Sequence, residues 1–325
     1  MKQSTLKKAL YGGVVAVVTA LAVVNAASSG GEATARSKLT LMAPAAPGGG
    51  WDGFAREGQQ ALKSEGIVNN AQVVNVPGAG GTIGLSQFVQ MPGRHDMLMA
   101  TGAAMVGAVS LSKSDADFTS VEMIARVADD YSVLVVPANS PYETLGQFVE
   151  DWKADPGGTS IAGGSLGSID HLITGLVAEE IGIDPAKANY IAYSGDAIAA
   201  ILSGTTDAGI TGYNEVSDLI EAGQLRALAV SSEERLPGAD VPTFIEQGVD
   251  AYMANWRGYA AAPGVTQEQK QEFVDIVTEL RDTEHWQSAL ERNRWVDNFM
   301  TGEEFEAFIA EELARTRDIV EGLGL

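Results

Sequence analysis

Four short turns of small residues carry most of the chemistry that this 325-residue sequence offers. They are Pro47-Gly48-Gly49-Gly50-Trp51-Asp52, Pro77-Gly78-Ala79-Gly80-Gly81-Thr82, Gly163-Gly164-Ser165-Leu166-Gly167-Ser168 and, more weakly, Tyr193-Ser194-Gly195-Asp196. Each stands between a β-prone run and the start of an amphipathic stretch. Such a turn sets unpaired backbone N–H groups and the positive end of a helix dipole at the carboxyl end of a strand, the edge at which open α/β sheets bind ligands. One such turn alone does no more than tighten a connection. Several facing one space form an anion cradle that needs neither Lys nor Arg, with charge-assisted hydrogen bonds contributing about 1.5–3 kcal/mol each.

Competing motifs fail or stand alone. Gly78-Ala79-Gly80 has Ile83 where a dinucleotide fingerprint needs its third glycine, and no phosphate-binding loop of the G-x-x-x-x-G-K-[ST] type is present. Gly163-Gly164-Ser165-Leu166-Gly167 does fit the G-x-S-x-G nucleophile elbow, so an α/β serine hydrolase using Ser165 is the alternative. It would need an acid and a histidine later in the chain; His171 falls inside the helix that the serine precedes, and His285 in a helical tail. The chain has no cysteine, no HExxH and no close histidine pair, which argues against thiol catalysis and against any metal or cofactor site. Asp52 and Arg56 are spaced i,i+4 and suit a helix-surface pair. Tyr213 and Asn214 begin a helix after a strand and suit a cap. His171 reads as a packed or capping histidine, and Trp256, Trp286 and Trp295 as core or hinge packing.

The elements that position these turns alternate strand and helix, the pattern of an α/β fold. Strands are expected at 39–42, 72–76, 97–100, 159–162, 190–192, 208–211 and 225–230. Helices are expected at 51–64, 82–89, 142–153, 169–181, 267–281, 284–293 and 302–322. The apolar runs 125–127 and 133–136 are interrupted by Asp129-Asp130. The length suits two domains. A formal net charge of -22 argues against a nucleic-acid partner. Lys2, Lys7 and Lys8 precede an apolar run from Ala9 to Ala27. This reads as a signal segment with cleavage after Ala26 or Ala35, or as an uncleaved membrane anchor; either way the body lies outside the cytoplasmic membrane.

The turns and their neighbours resemble the periplasmic solute receptors of tripartite tricarboxylate transporters, the Bug or TctC-type proteins. The matching segments are 43–52 with Ala55-Arg56, Asn75 to Gly81, Gly167-Ser168-Ile169-Asp170-His171-Leu172, Tyr193-Ser194-Gly195 and Leu225 to Val230. The resemblance implies a two-domain Venus-flytrap fold of the periplasmic-binding-protein type II-like class, with a ligand cleft between the domains. It implies segments 36–132 plus 256–325 as one domain and 133–255 as the other, with crossings near Asp130-Val133 and Ala254-Arg257. It also implies capture of a small carboxylate, a tricarboxylate such as citrate favoured, for delivery to transporter membrane subunits without catalysis. Carried over, the ligand-binding positions are Gly49, Gly50, Trp51, Ala79, Gly80 and Thr101 from one domain, and Gly167, Ser168, Tyr193 and Asn214 from the other. Asp52, Asp170 and Tyr213 are added as candidates. Trp51 with Asp52, and Asp170 before His171, resemble the tricarboxylate branch. Asp196 departs from it, because an acid beside a bound carboxylate repels it.

Overall fold

The computed structural model describes residues 34–112, 116–193 and 197–325. The signal or anchor segment with its cleavage point at Ala26, and the turn residues Ser194, Gly195 and Asp196, lie outside the described residues. Among the described residues no helix is long and apolar enough to cross a membrane.

Strand β1 (Leu39–Ala43) is buried along its whole length, which is why it reads as a continuous apolar run rather than an alternating one. It pairs in parallel with β2 (Ala71–Asn75) and β3 (Met97–Gly102). Helices α1 (Gly50–Ser64), α2 (Thr82–Val89) and α3 (Ala103–Ser112) follow these three strands in turn. Next comes β4 (Glu122–Pro137), a 16-residue strand buried at all but its first position. The acids Asp129 and Asp130 do not break it as their sequence suggests, because near and distant residues together satisfy them. Asp129 accepts from Arg126 Nε at 2.7 Å and from Asn298 Nδ2 at 2.7 Å. Asp130 takes the Tyr131 amide at 3.0 Å and Arg257 Nη2 at 3.2 Å. A buried charge persists only where such partners exist.

After β4 the chain forms α4 (Leu145–Ala154), β5 (Ser160–Gly163), α5 (Ile169–Glu180), β6 (Asn189–Ala192), α6 (Ala197–Leu202), β7 (Ala208–Gly212), α7 (Tyr213–Glu221) and β8 (Leu225–Val230). It returns through β9 (Ala254–Ala261) and ends in α8 (Gln267–Arg281), α9 (Glu284–Asn293), the short β10 (Met300–Thr301) and α10 (Gly302–Gly322). β9 was not expected as a strand; its sequence position reads as a crossing.

The long β4 ties two half-sheets together. Its residues 122–131 pair antiparallel with β9, which in turn pairs antiparallel with β3. From Ser132 onward it pairs antiparallel with β7 and β8, and β5 lies parallel between β6 and β7. The result is the α/β, two-domain architecture that the resemblance implies. Phe54, Tyr259 and Trp286 fill one core, with Phe54 4.9 Å from Tyr259 and 5.7 Å from Trp286 between ring centroids. Trp256, fully buried, packs edge-on against Phe305 of α10 at 5.8 Å in the other. Helix α10 lies against α3, α5 and β4, so it packs on helices of both halves.

Candidate functional site

Two of the small-residue turns and the start of α7 meet at one cavity of about 370 Å³ between the half-sheets. Gly49 before α1, Ser168 before α5 and Gly212 before α7 each occupy the capping position, and none provides a side-chain cap. The first-turn amides of three helices therefore face the same space with the positive ends of their dipoles. Gly48, Gly49 and Gly50 line one side; Ser168, Ile169, Asp170, Gly212, Asn214 and Glu215 line the other. Ala104 of α3 and Trp295 also reach it.

The first turn is held from beneath by Asp52. Its carboxylate accepts the Gly48 amide at 2.8 Å, Arg56 Nε at 2.9 Å and Asn75 Nδ2 at 2.9 Å. The Arg56 hydrogen bond leads the effects that lower its pKa to about 2. Asp52 is buried and does not line the cavity; its place in the structure is to fix the turn. Asp52→Ala leaves the Gly48 amide without its acceptor and Asn75 Nδ2 with only the Ala45 carbonyl, at 3.0 Å. A loss of about 1–3 kcal/mol in unfolding free energy is expected, read from denaturant melts, while Arg56→Ala, at an exposed side chain, moves the midpoint far less.

The third turn has its own brace. His171 is buried, its Nδ1 accepts the Gly167 amide at 3.1 Å, and its ring stacks on Tyr190 at 4.3 Å. Burial lowers its pKa to about 4, so it is neutral and acts as an acceptor. Asp170, in the first turn of α5, accepts the Gly164 amide at 2.9 Å and the Ser132 hydroxyl at 3.3 Å. Its carboxylate is surrounded by protein although the residue keeps some surface on the cavity. Burial pushes its pKa up to about 7, and the nearby Glu215 and Asp130 add to the effect. Burial also raises Asp130, against the pull of Arg257.

A second, more apolar chamber of about 430 Å³ adjoins the first and shares Ala104 and Ser168 with it. Trp51, Ala79, Gly80, Leu111, Leu166 and Gly167 line it. Ala79 and Gly80 have φ of 47° and 60°; a Cβ on Gly80 would come within 2.5 Å of Ala108 Cβ, so only glycine lets this turn lie on α3.

Of the sequence candidates, the structure brings Gly49, Gly50, Ser168, Asp170 and Asn214 to the first chamber, and Trp51, Ala79, Gly80, Gly167 and again Ser168 to the second. It does not bring Thr101 there, a fully buried residue whose hydroxyl meets Met105 Sδ at 3.6 Å. Tyr213 lines a separate cavity with Leu236, Gln287 and Arg294. Tyr193 lines neither chamber and packs on the core, its amide on the Gly163 carbonyl at 2.9 Å.

Sequence reasoning missed the cavity's charged floor. Arg257, 8% exposed, stacks over Trp295 at 5.2 Å; its Nη2 meets Asp130, and its Nε has no partner. Asp130, Ser132, Glu215, Asn255 and Asn293 were missed with it. The available signal was charge inside buried strands: an acid pair interrupting one apolar run and a lone arginine in another. Trp295 also lines the cavity, whereas Trp256 and Trp286 are fully buried packing residues.

Ser165 is exposed at the second chamber, and no hydrogen bond joins it to a histidine or an acid. Its φ is not positive: among the described non-glycine residues only Ala79 and Arg294 are in that region. The strained strand-to-helix conformation of a nucleophile elbow is therefore absent at Ser165. No group of three or more His, Cys, Asp or Glu among the described residues is arranged to hold a metal ion.

Comparison with known proteins places these features in context. The family model described as tripartite tricarboxylate transporter family receptor matches residues 55–325. The protein BugT of Bordetella pertussis is 29% identical over 308 residues, covering 88% of this chain and 89% of that protein. A TctC solute-binding protein from Polaromonas, solved without ligand, superposes with a TM-score of 0.74 at 26% identity, covering 88% of this chain and 98% of that one. Rpa4515 of R. palustris, solved with adipate, gives a TM-score of 0.74 at 20% identity, covering 89% of this chain and 97% of that one.

Proposed function

The chain belongs to the tripartite tricarboxylate transporter receptor family, and from that premise we propose that it captures a small carboxylate in the cleft between its two domains and presents it to transporter membrane subunits. Receptors of this family bind solutes outside the cytoplasmic membrane and are not catalysts. The observation that carries the ligand class is the convergence of three uncapped helix starts with Arg257 on one cavity. Backbone amides and a nearly buried guanidinium are anion-seeking groups, and they work here against an acidic surface.

The domain bounds that we propose are 36–132 plus 256–325 and 133–255. In support, β4 exchanges β9 for β7 and β8 between Tyr131 and Ser132. An open form would bind the carboxylate on one domain, and closure of the other would remove water from the contacts and strengthen them.

Within the carboxylate class, the sequence favours a tricarboxylate such as citrate. The cavity's acids weigh against three negative charges: among the described residues Asp130, Asp170 and Glu215 face the same space as one cation, Arg257. A ligand with one or two carboxylates fits that balance better, and a fold relative is solved with the dicarboxylate adipate.

The test is a thermal-shift screen against citrate, dicarboxylates, aromatic acids and amino acids. A ligand that binds only the folded state raises the melting temperature with its concentration. A concentration-dependent rise with a carboxylate, retained in Ser165→Ala, is expected. No rise with any acid would sink the reading, and ester turnover abolished by Ser165→Ala would put the hydrolase in its place.

A further inference from the structure

The charged side chains around the first chamber are sorted by sign. Donors stand where α1 begins and where β9 passes beneath it. Arg257 has an unpartnered Nε, and a Cβ on Gly50 would come within 3.3 Å of its Nη1, so the guanidinium lies against the uncapped helix start. Side-chain acceptors stand on β4, α5 and α7, beside the uncapped first-turn amides of those two helices. Asp130 Oδ2 is held by Arg257 alone. Asp170 Oδ1 has one hydroxyl donor, Ser132, at 3.3 Å. Glu215 Oε2 takes the Thr211 hydroxyl at 2.6 Å, and Asn214 Oδ1 is a buried acceptor with no donor. A Cβ on Gly212 would lie 2.8 Å from Asn214 Oδ1 and 3.7 Å from Asp130 Oδ2, so these two acceptors flank the same glycine.

A plain polyanion satisfies only the donor side. It leaves Asn214 Oδ1 without a partner and sets like charges against three carboxyl groups. We propose that this cleft selects a carboxylate that also carries an N–H-bearing cationic nitrogen, an amino-acid-type zwitterion. Its carboxylate lies on Arg257 and the α1 amides, and its ammonium lies among Asp130, Asp170, Glu215 and Asn214. The inference rests on the carboxylate-receptor reading and narrows it. An ammonium group has the three donors that such a set of acceptors requires. It also restores the charged form of carboxylates that burial otherwise holds near neutrality, as at Asp170. The adjoining apolar chamber, with Trp51, Leu111 and Leu166, gives the ligand's side chain a place to lie.

The experiment is isothermal titration of the protein with matched pairs: aspartate and succinate, glutamate and glutarate, phenylalanine and 3-phenylpropionate, with citrate alongside. In at least one pair the ammonium-bearing member is expected to bind about tenfold tighter or more, the difference made by one charge-assisted hydrogen bond. Glu215→Gln should shrink that ratio by weakening the ammonium-bearing member, while the deaminated partner, relieved of one repelling charge, binds as tightly or tighter. Asp170→Asn, which keeps one acceptor for the Gly164 amide, should do the same. Citrate or the deaminated acids binding as tightly as the amino acids would overturn the inference and leave the receptor reading standing. If no acid of either kind binds, the receptor reading fails and takes the inference with it.

Discussion

Replacing Arg257 with alanine should abolish carboxylate binding and destabilise the protein, two effects that a second substitution can separate. Among the described residues Arg257 is the only cationic side chain lining the first chamber. Truncating one partner of a buried, hydrogen-bonded charge pair typically costs about 2–5 kcal/mol, or roughly 30- to 4,000-fold in affinity. The loss of stability comes from Asp130, which is 4% exposed and has no other cation beside it. Removing one member of a buried pair costs about 3–5 kcal/mol, because the other charge is left unpaired. Burial already raises the Asp130 pKa, and loss of Arg257 raises it further. A carboxyl whose folded pKa lies above its unfolded value contributes stability that is full below the unfolded pKa and lost as pH rises through the folded one. The variant's deficit should therefore widen with pH, and melts at about pH 5 and about pH 8 read that slope. Arg257→Ala combined with Asp130→Asn removes the orphaned charge and should recover most of the stability. Titration of the double variant with the best ligand then decides the point: restored stability with restored binding would show that Arg257 is a strut and not an anchor.

How far the sequence reached follows the range of its interactions. The helix starts were legible because their signal is local: a strand, two or three small residues, and an amphipathic run written within a dozen positions. That pattern located β1 with α1, α2, and β5 with α5 to within a residue or two. The charged floor was not legible, because its meaning is set by partners far along the chain. Asp130 and Arg257 are separated by 127 positions and meet at 3.2 Å. Read alone, Asp129-Asp130 is a reason to end a strand and Arg257 an ordinary polar residue beside a crossing. Read together, they are neighbours on paired strands, with Asp130 in register with Asn255 and Asp129 with Trp256. Thr101 and Tyr213 show the opposite case, lying away from the first chamber. Their positions at strand ends matched a binding pattern, but neither side chain reaches the first chamber: Thr101 is buried beside Met105, and Tyr213 lines another cavity. Which way a side chain points at the end of a strand depends on packing from the far side of the sheet, and no local motif records it.

Gly107→Ala should weaken ligand binding without weakening the fold. Gly107 lies within α3, where alanine is favoured over glycine by about 1 kcal/mol, so the unliganded protein should melt at the same temperature or higher. The new methyl group, however, meets the opposite domain. A Cβ at Gly107 would lie 2.6 Å from the Gly167 carbonyl oxygen and 3.2 Å from Leu172 Cδ1. The oxygen belongs to the backbone of the turn before α5, which His171 and Ser168 hold in place, so it cannot rotate aside as a side chain would. The fit is tight in the other direction as well: a Cβ at Gly167, whose φ is 73°, would fall 1.8 Å from Leu111 Cδ1. Both glycines therefore mark where α3 and the α5 turn come together beside the second chamber, and a single methyl group would hold them apart. If binding depends on that closed arrangement, reducing its population reduces apparent affinity in proportion, and about a tenfold loss corresponds to 1.4 kcal/mol of added strain. Titration gives the affinity, and small-angle scattering with saturating ligand should give a larger radius of gyration than for the unsubstituted protein. Unchanged affinity would mean that the ligand is held by one domain alone. In that case the contact between Gly107 and Gly167 would be a packing detail rather than the seat of closure.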